Sequence, residues 1–346
     1  MSARQVEPSA SIPHPRETMS LFGHREAELA LLHAYQSGRI PHAWLIGGAQ
    51  GIGKATLAYR MARFVLAHRD AQASQVQAAE TLAIDPAHPV ARHVAAGAHG
   101  GLLTLERTLN DKGVLRTVIT VDETRETISF FGSTAAVEGW RVCIVDTVDE
   151  LNANAANALL KVLEEPPRQS LFLLVSHAPA RVLPTIQSRC RKLPLRPLAA
   201  EDVVRATAQA AQIPPDDPAL AEAAAAAEGS VARALTLLGG DALKMQQRTA
   251  ALLGSLPRID LRELHALGDS LGLSDRASLA AFIDSVDRWI AERLRADDAN
   301  ANLPRLARLA EVWEKINRAA RDTADYNLER KPLVFSVFGL LAEAIS

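Results

Sequence analysis

The sequence predicts an α/β protein, a parallel sheet with helices on its faces and a phosphate loop, followed by a small helical lid and an all-α C-terminal domain. Three observations carry this. The stretch GGAQGIGKAT, residues 47–56, lies between the apolar run Ala43, Trp44, Leu45, Ile46 and the helical run Leu57, Ala58, Met61, Ala62, Val65, Leu66, and strand, glycine turn, helix is the setting of a phosphate loop. The runs at 141–146 and 171–175 are apolar without alternation, as strands buried on both faces are. Beyond residue 240, Leu279, Phe282, Ile283, Val286 and Ile290 share one helical face, as do Leu306, Leu309, Trp313 and Ile316.

At 346 residues the chain is too long for one compact core. Residues 1–20, with Pro8, Pro13 and Pro15, read as a flexible arm. The α/β domain takes 21–198, where Pro194 and Pro197 mark a strand exit. An alanine-rich helical lid takes 199–240, closed by Gly239 and Gly240, and a helical domain takes 241–346.

Within the α/β domain, Gly48, Gly51 and Gly53 let backbone amides turn inward on a polyphosphate. The next helix offers its positive end, and Lys54 reaches the terminal phosphates. After Gly-Lys the motif asks for a hydroxyl to ligate magnesium, but Ala55 stands there and Thr56 comes one residue late. A helix turns about 100° per residue, so Thr56 faces elsewhere. Further along, Val118, Ile119 and Val121 read as a strand, with Asp122, Glu123 and Arg125 at the start of the helix after it. The run 141–146 ends in Asp146, the Walker B layout. Hydrolysing proteins of this kind place next a Glu that polarises the attacking water, and this chain has Thr147. Asp149 and Glu150 come after the strand end and are expected to aim elsewhere. Asn152 or Asn154 caps a helix through Leu159, Leu160 and Leu163 that ends at Glu165, before Pro166 and Pro167.

The block 151–198, LNANAANALLKVLEEPPRQSLFLLVSHAPARVLPTIQSRCRKLPLRPL, resembles the clamp-loader branch of the AAA+ ATPases, through Glu164-Glu165-Pro166-Pro167 and Ser188-Arg189-Cys190. The resemblance extends from Leu21, Phe22, Gly23 and His24 through Gly229, Ser230 and Val231 toward the C-terminus. It implies a P-loop AAA+ sheet, a helical lid and a C-terminal collar through which subunits form a ring. It also implies that Arg189 is an arginine finger acting in trans on a neighbour's ATP and that Ser176 is the sensor 1 residue. Ala232 occupies the place of the motor subunits' sensor 2 Arg, with Arg233 one residue along. The departures at Ala55 and Thr147 select, within that branch, a subunit that resembles the motors without being one. Its degenerate nucleotide site comprises Gly48, Gly51, Gly53, Lys54, Ala55, Thr56, Asp146 and Ser176, and ATP binding there stays open. The implied partners are gamma/tau motor subunits and a delta subunit, with the sliding clamp and primed DNA met through the assembly. The chain is then a component of a polymerase holoenzyme that neither polymerises nor hydrolyses ATP efficiently. The rival reading is an autonomous AAA+ ATPase in which Thr56 and Asp149 or Glu150 have taken over the missing roles.

A composition of 48% hydrophobic and 23% charged residues is that of an ordinary globular protein. No apolar stretch reaches membrane-spanning length and the first residues lack a secretion-signal core, so a cytoplasmic location is expected. Two cysteines, Cys143 and Cys190, exclude a disulfide scaffold. A net charge of -2 argues against a protein that holds DNA by its own field. Relatives often carry a four-cysteine zinc module in the interval 67–101. Here it holds Asp85, His88, His93 and His99 at spacings that match no standard site, so solvated loop histidines are expected and no zinc. Among Arg181, Arg189, Arg191, Lys192 and Arg196, all but Arg189 are expected to be solvated. His177 is given no role.

Overall fold

The computed structural model describes residues 13–108, 116, 118–132, 139–238, 241–272, 276–296, 303–326 and 328–345. They form two compact units, each described here by itself. One comprises the described residues up to Asp216 together with Glu228–Ala232; the other comprises Asp217–Ala227 and those from Arg233 onward. The segment 199–240, expected as one lid, is thus divided between them, and Gly239 and Gly240 lie outside the described residues.

In the first unit the elements run α1 (Arg25–Gln36), β1 (Ala43–Gly47), α2 (Lys54–Ala67), α3 (Ser74–Gln77), α4 (Pro89–Ala95), β2 (Leu102–Glu106), α5 (Val121–Gly132), β3 (Arg141–Asp146), α6 (Ala153–Glu164), β4 (Ser170–Ser176), α7 (Pro184–Gln187), β5 (Arg191–Pro194) and α8 (Ala200–Ala211). The five strands form one sheet in the order β2-β3-β4-β1-β5, every pairing parallel. Each residue of β1 and β4 is buried, which is why these runs are apolar without alternation. One core, with Trp44, Ile46, Leu57, Met61 and Leu173, lies on one side of the sheet, and another, with Leu45, Cys143, Leu159, Phe172 and Leu174, on the other. The register pairs Glu106 with Asp146, Asp146 with Val175, and Gly47 with Ser176. The carboxyl ends of the central strands therefore line up beside the loop that follows β1, where open α/β sheets bind ligands.

Two expectations change. The 118–121 strand is a single bridge, Ile119 to Leu151, and α5 already begins at Val121. Glu123 starts that helix as expected: its carboxylate accepts from Thr120 N at 2.6 Å and Thr120 Oγ1 at 3.0 Å, one half of a capping box. The second half of the arm is held in place. Arg63, 2% exposed, donates to Arg16 O and Thr18 O, and Arg60 donates to Met19 O. Buried arginines need acceptors, and the backbone at 16–19 supplies them. Residues 1–12 lie outside the described residues.

The second unit comprises α9 (Pro218–Ala226), most of α10 (Val231–Leu237), α11 (Asp241–Ser255), α12 (Leu261–Gly272), α13 (Arg276–Ala296), α14 (Leu303–Asp325) and α15 (Arg330–Ile345). Phe282, Val286 and Ile290 of α13 pack with Leu309 and Ile316 of α14 and Phe338 and Leu341 of α15. The two apolar stripes thus build this unit's own core; the side chain of Leu306 lies outside the described residues. Asp287 is half-buried on α13, accepting from Trp313 Nε1 at 2.7 Å and Asn317 Nδ2 at 3.0 Å, and desolvation raises its pKa. Among the described residues no helix is long and apolar enough to cross a membrane.

Candidate functional site

The site begins where β1 meets α2. Gly53 caps α2 at φ 97 with no side-chain cap, so the first amides of the helix face the loop. Lys54, the first residue of α2, is 3% exposed and folds back on the loop, its Nζ donating to Gly48 O at 2.8 Å and Ala49 O at 2.5 Å. Burial lowers its pKa to about 8 against the pull of Asp146 and Asp149. An incoming phosphate would have to replace those two carbonyls. The turn 229–232 lies over the loop: Val231 N donates to Gly51 O at 2.9 Å and Ala232 N at 3.4 Å. Gly51 has φ +76, and a Cβ there would come within 2.3 Å of Ser230 Oγ and 2.7 Å of Ala232 Cβ, so only glycine permits this closeness. At Ala232, where the resemblance would place a guanidinium, the side chain against the loop is a methyl group. Arg233, one residue along, pairs with Asp284 of α13 at 3.1 Å, within the second unit.

Asp146 ends β3, its carboxyl raised by burial and by Glu106, and lowered by Lys54, His14 and Arg107. Thr147, where a base would stand, is 3% exposed, and its Oγ1 has no partner among the described residues. Ala55 and Thr56 sit half-buried on α2. A short 3-10 turn, Val148–Glu150, brings Asp149 under the end of β4. One of its oxygens accepts from Ser176 Oγ at 2.8 Å and the other from His177 N at 2.5 Å. Glu150 accepts from Arg107 Nε at 2.9 Å. Asp149 thus remains within electrostatic reach of Lys54, but both of its oxygens are engaged. Ser176, fully buried, uses its hydroxyl as Asp149's donor and Ala178 N's acceptor.

Two histidines here were not legible as site residues. His24 stands left-handed (φ 55) before α1 and its Nε2 meets Ile52 O at 2.7 Å, tying α1 to the loop. His177 has its pKa pushed down to about 4 by burial and Lys54, with Asp149 opposing, and Nδ1 is buried without a partner among the described residues. A histidine after a buried strand gives no sequence signal that separates such a position from a rim residue.

Arg189 follows α7 outside this pocket. Its NH2 donates to Glu164 Oε1 at 2.6 Å and its NH1 to Thr185 O at 2.8 Å, with 33% of the side chain exposed. Arg181, Arg191, Lys192 and Arg196 are exposed, and Arg191 lies over the ring of Trp44 at 5.1 Å. In the 67–101 interval, His88 Nδ1 accepts from Val90 N at the start of α4, His99 Nδ1 from Gly101 N, and Asp85 from Ala87 N. Among the described residues no three His, Cys, Asp or Glu residues are placed to hold a metal. Cys143 is buried, and burial pushes the Cys190 thiol up to about 12.

This sheet order, with the glycine loop after β1 and a Walker B carboxylate ending β3, is a P-loop AAA+ fold. The model of the family described as DNA polymerase III, delta subunit, matches residues 23–199, and the chain belongs to that family. It is 38% identical over 149 residues to the DNA polymerase III subunit delta' of Pseudomonas aeruginosa, covering 43% of this chain and 41% of that one. It is 31% identical over 243 residues to the Escherichia coli subunit delta', covering 68% and 66%. The Escherichia coli subunit tau is 28% identical over 250 residues, covering 70% and 36%. The matches therefore span less than two thirds of these relatives' own length.

Proposed function

We propose that this chain is a delta-prime-type subunit of a bacterial DNA polymerase III clamp loader, one that does not itself turn over ATP. It scaffolds a ring with gamma/tau motor subunits and a delta subunit, and supports loading of the sliding clamp on primed DNA. The observation that carries the reading is Thr147: the place of the hydrolytic base holds a buried hydroxyl without a partner among the described residues, while Arg189 keeps a third of its surface open at the end of a short helix. Phosphoryl transfer depends on positioning and charge stabilisation acting together, and this pocket lacks the metal hydroxyl, the base and the sensor 2 guanidinium.

The loop from Gly48 to Gly53 with Lys54 has the donors a polyphosphate requires, so the nucleotide fits in part; magnesium would find Asp146 without a partner hydroxyl from α2. ATP bound there would serve as a structural ligand. In the ring, Arg189 would meet the phosphates of the neighbour's ATP and stabilise charge that develops as the bond breaks.

ATP turnover by the purified chain, alone and with motor and delta subunits, tests the reading. No turnover alone, with ring turnover and clamp loading depressed by Arg189→Ala, supports it. Appreciable turnover by the isolated chain supports the autonomous ATPase, a reading that needs free carboxylates where Asp149 and Glu150 are already bonded.

A further inference from the structure

Helix α6 ends on a residue that its own stability does not call for. Glu164 sits in the last turn, where the helix dipole is negative and a carboxylate is disfavoured. Glu164 is half exposed, yet it reaches across 25 residues of sequence to Arg189 NH2 at 2.6 Å. The pairing is selective. The neighbouring cations Arg181, Arg191, Lys192 and Arg196 are exposed to solvent, whereas Arg189 is drawn onto Glu164. On its other edge the guanidinium donates from NH1 to Thr185 O at 2.8 Å and meets Ser188 Oγ at 3.3 Å. Two sides of the planar fork are thus held, while Nε–H and the second hydrogen of NH2 make no bond to described residues.

We infer that Glu164 is a positioning residue for Arg189. The carboxylate and the Thr185 carbonyl form a cradle that fixes the guanidinium plane before the neighbour's phosphates arrive. A free arginine side chain must surrender its rotamer freedom when it docks; one already held needs to surrender less. The cradle leaves part of the fork open, so phosphate can be met without breaking the Glu164 bond. This inference rests on the trans role of Arg189 proposed above and adds the residue that sets its geometry.

The carboxylate also carries charge, and the conservative variant separates the two effects. Glu164→Gln keeps an oxygen that accepts from NH2 but loses the charge; Glu164→Ala loses both. Rings reconstituted with wild-type motor and delta subunits, clamp and primed DNA are assayed for kcat and KM of ATP turnover. Thermal unfolding and ring assembly of each variant are followed in parallel. We expect Glu164→Ala to lower the kcat of the turnover that depends on Arg189 by about threefold or more with KM unchanged, as loss of an interaction made at the transition state does. Glu164→Gln should stay within about twofold of wild type, and Glu164→Ala with Arg189→Ala should fall no further than Arg189→Ala alone. If Arg189→Ala leaves the ring unaffected, the finger reading itself fails. If Arg189→Ala depresses turnover and Glu164→Ala does not, only the positioning role fails. A rise in kcat with Glu164→Gln would make Glu164 a charge brake, and a loss that persists without Arg189 would make it structural; either overturns the inference.

Discussion

Replacing Lys54 by methionine should change how stability depends on pH. The ammonium is buried to 3% exposure between two loop carbonyls, and burial holds its pKa at about 8 against an ordinary 10.5. An amine whose pKa is lower folded than unfolded binds more protons in the unfolded chain between those values, so stability rises with pH across that window. Below about pH 8 the cost of the buried charge is present in full; it fades as the unfolded amine deprotonates toward 10.5. At ~1.36 kcal/mol per unit, integrating from pH 7 to pH 10 gives wild type a gain of about 2.5 kcal/mol that Lys54→Met lacks. Methionine keeps the length of the side chain and removes the charge. Groups that do not feel Lys54 titrate alike in both proteins, and His177, whose pKa the ammonium helps hold at about 4, stays below the window, so the quantity to measure is the difference between their urea-unfolding free energies at the two pH values. At neutral pH the two need not differ much, because methionine relieves the charge but leaves Gly48 O and Ala49 O without their donor. Parallel pH dependences would refute the reasoning and mean that Lys54 is as well solvated as a surface lysine.

Thr147→Val should leave stability unchanged or raise it by up to about 1 kcal/mol, since it removes a buried hydroxyl that has no partner among the described residues, at nearly constant shape; a loss above that in chemical denaturation would reveal a bond to Oγ1. Gly51→Ala should destabilise by about 1–3 kcal/mol, because φ is +76 and the new methyl meets Ser230 Oγ at 2.3 Å and Ala232 Cβ at 2.7 Å, and an unshifted denaturation midpoint would show that the turn 229–232 does not rest on the loop. Asp287→Ala should cost about 1–3 kcal/mol by leaving Trp313 Nε1 and Asn317 Nδ2 without their acceptor inside the second unit, with an unchanged melting curve counting against a network that matters to stability. Thr147→Glu alone should leave the isolated chain nearly inactive toward ATP, whereas Ala55→Thr with Thr147→Glu should give slow hydrolysis; equal rates in single and double variants would exclude a missing metal hydroxyl as the second defect.

The buried strands and the phosphate loop were readable because their signals are local. A strand covered on both faces must be apolar at every position, and 43–46, 142–145 and 171–175 are. The cap at Asn152 and the end of α6 beside Pro166 follow from short-range chemistry, although only the structure chose Asn152 over Asn154: its side chain accepts from Ala155 N at 2.8 Å. Sequence pattern failed at Val118–Val121, where the apolar β-branched residues Val118, Ile119 and Val121 suggested a strand. There Glu123 bonds Thr120 and starts a helix, and only Ile119 joins a bridge. It failed also at residues 13–20, whose prolines suggested a flexible arm; two arginines on α2, more than forty positions away, clamp their backbone.

By itself the sequence determined which chemical groups this protein lacks. At the positions on which the proposed function turns, Ala55 and Ala232 offer only methyl groups and Thr147 no carboxylate, whatever the fold does with them. Tertiary structure alone decided what the remaining groups face. Lys54 turns back on Gly48 and Ala49, Asp149 is engaged by Ser176 and His177, and Arg189 is held by Glu164. Each partnership except that of Lys54 joins residues about 25 or more positions apart. Such pairs are brought together by the parallel register of the sheet and the loops at its carboxyl edge, a long-range consequence of packing that no local pattern encodes.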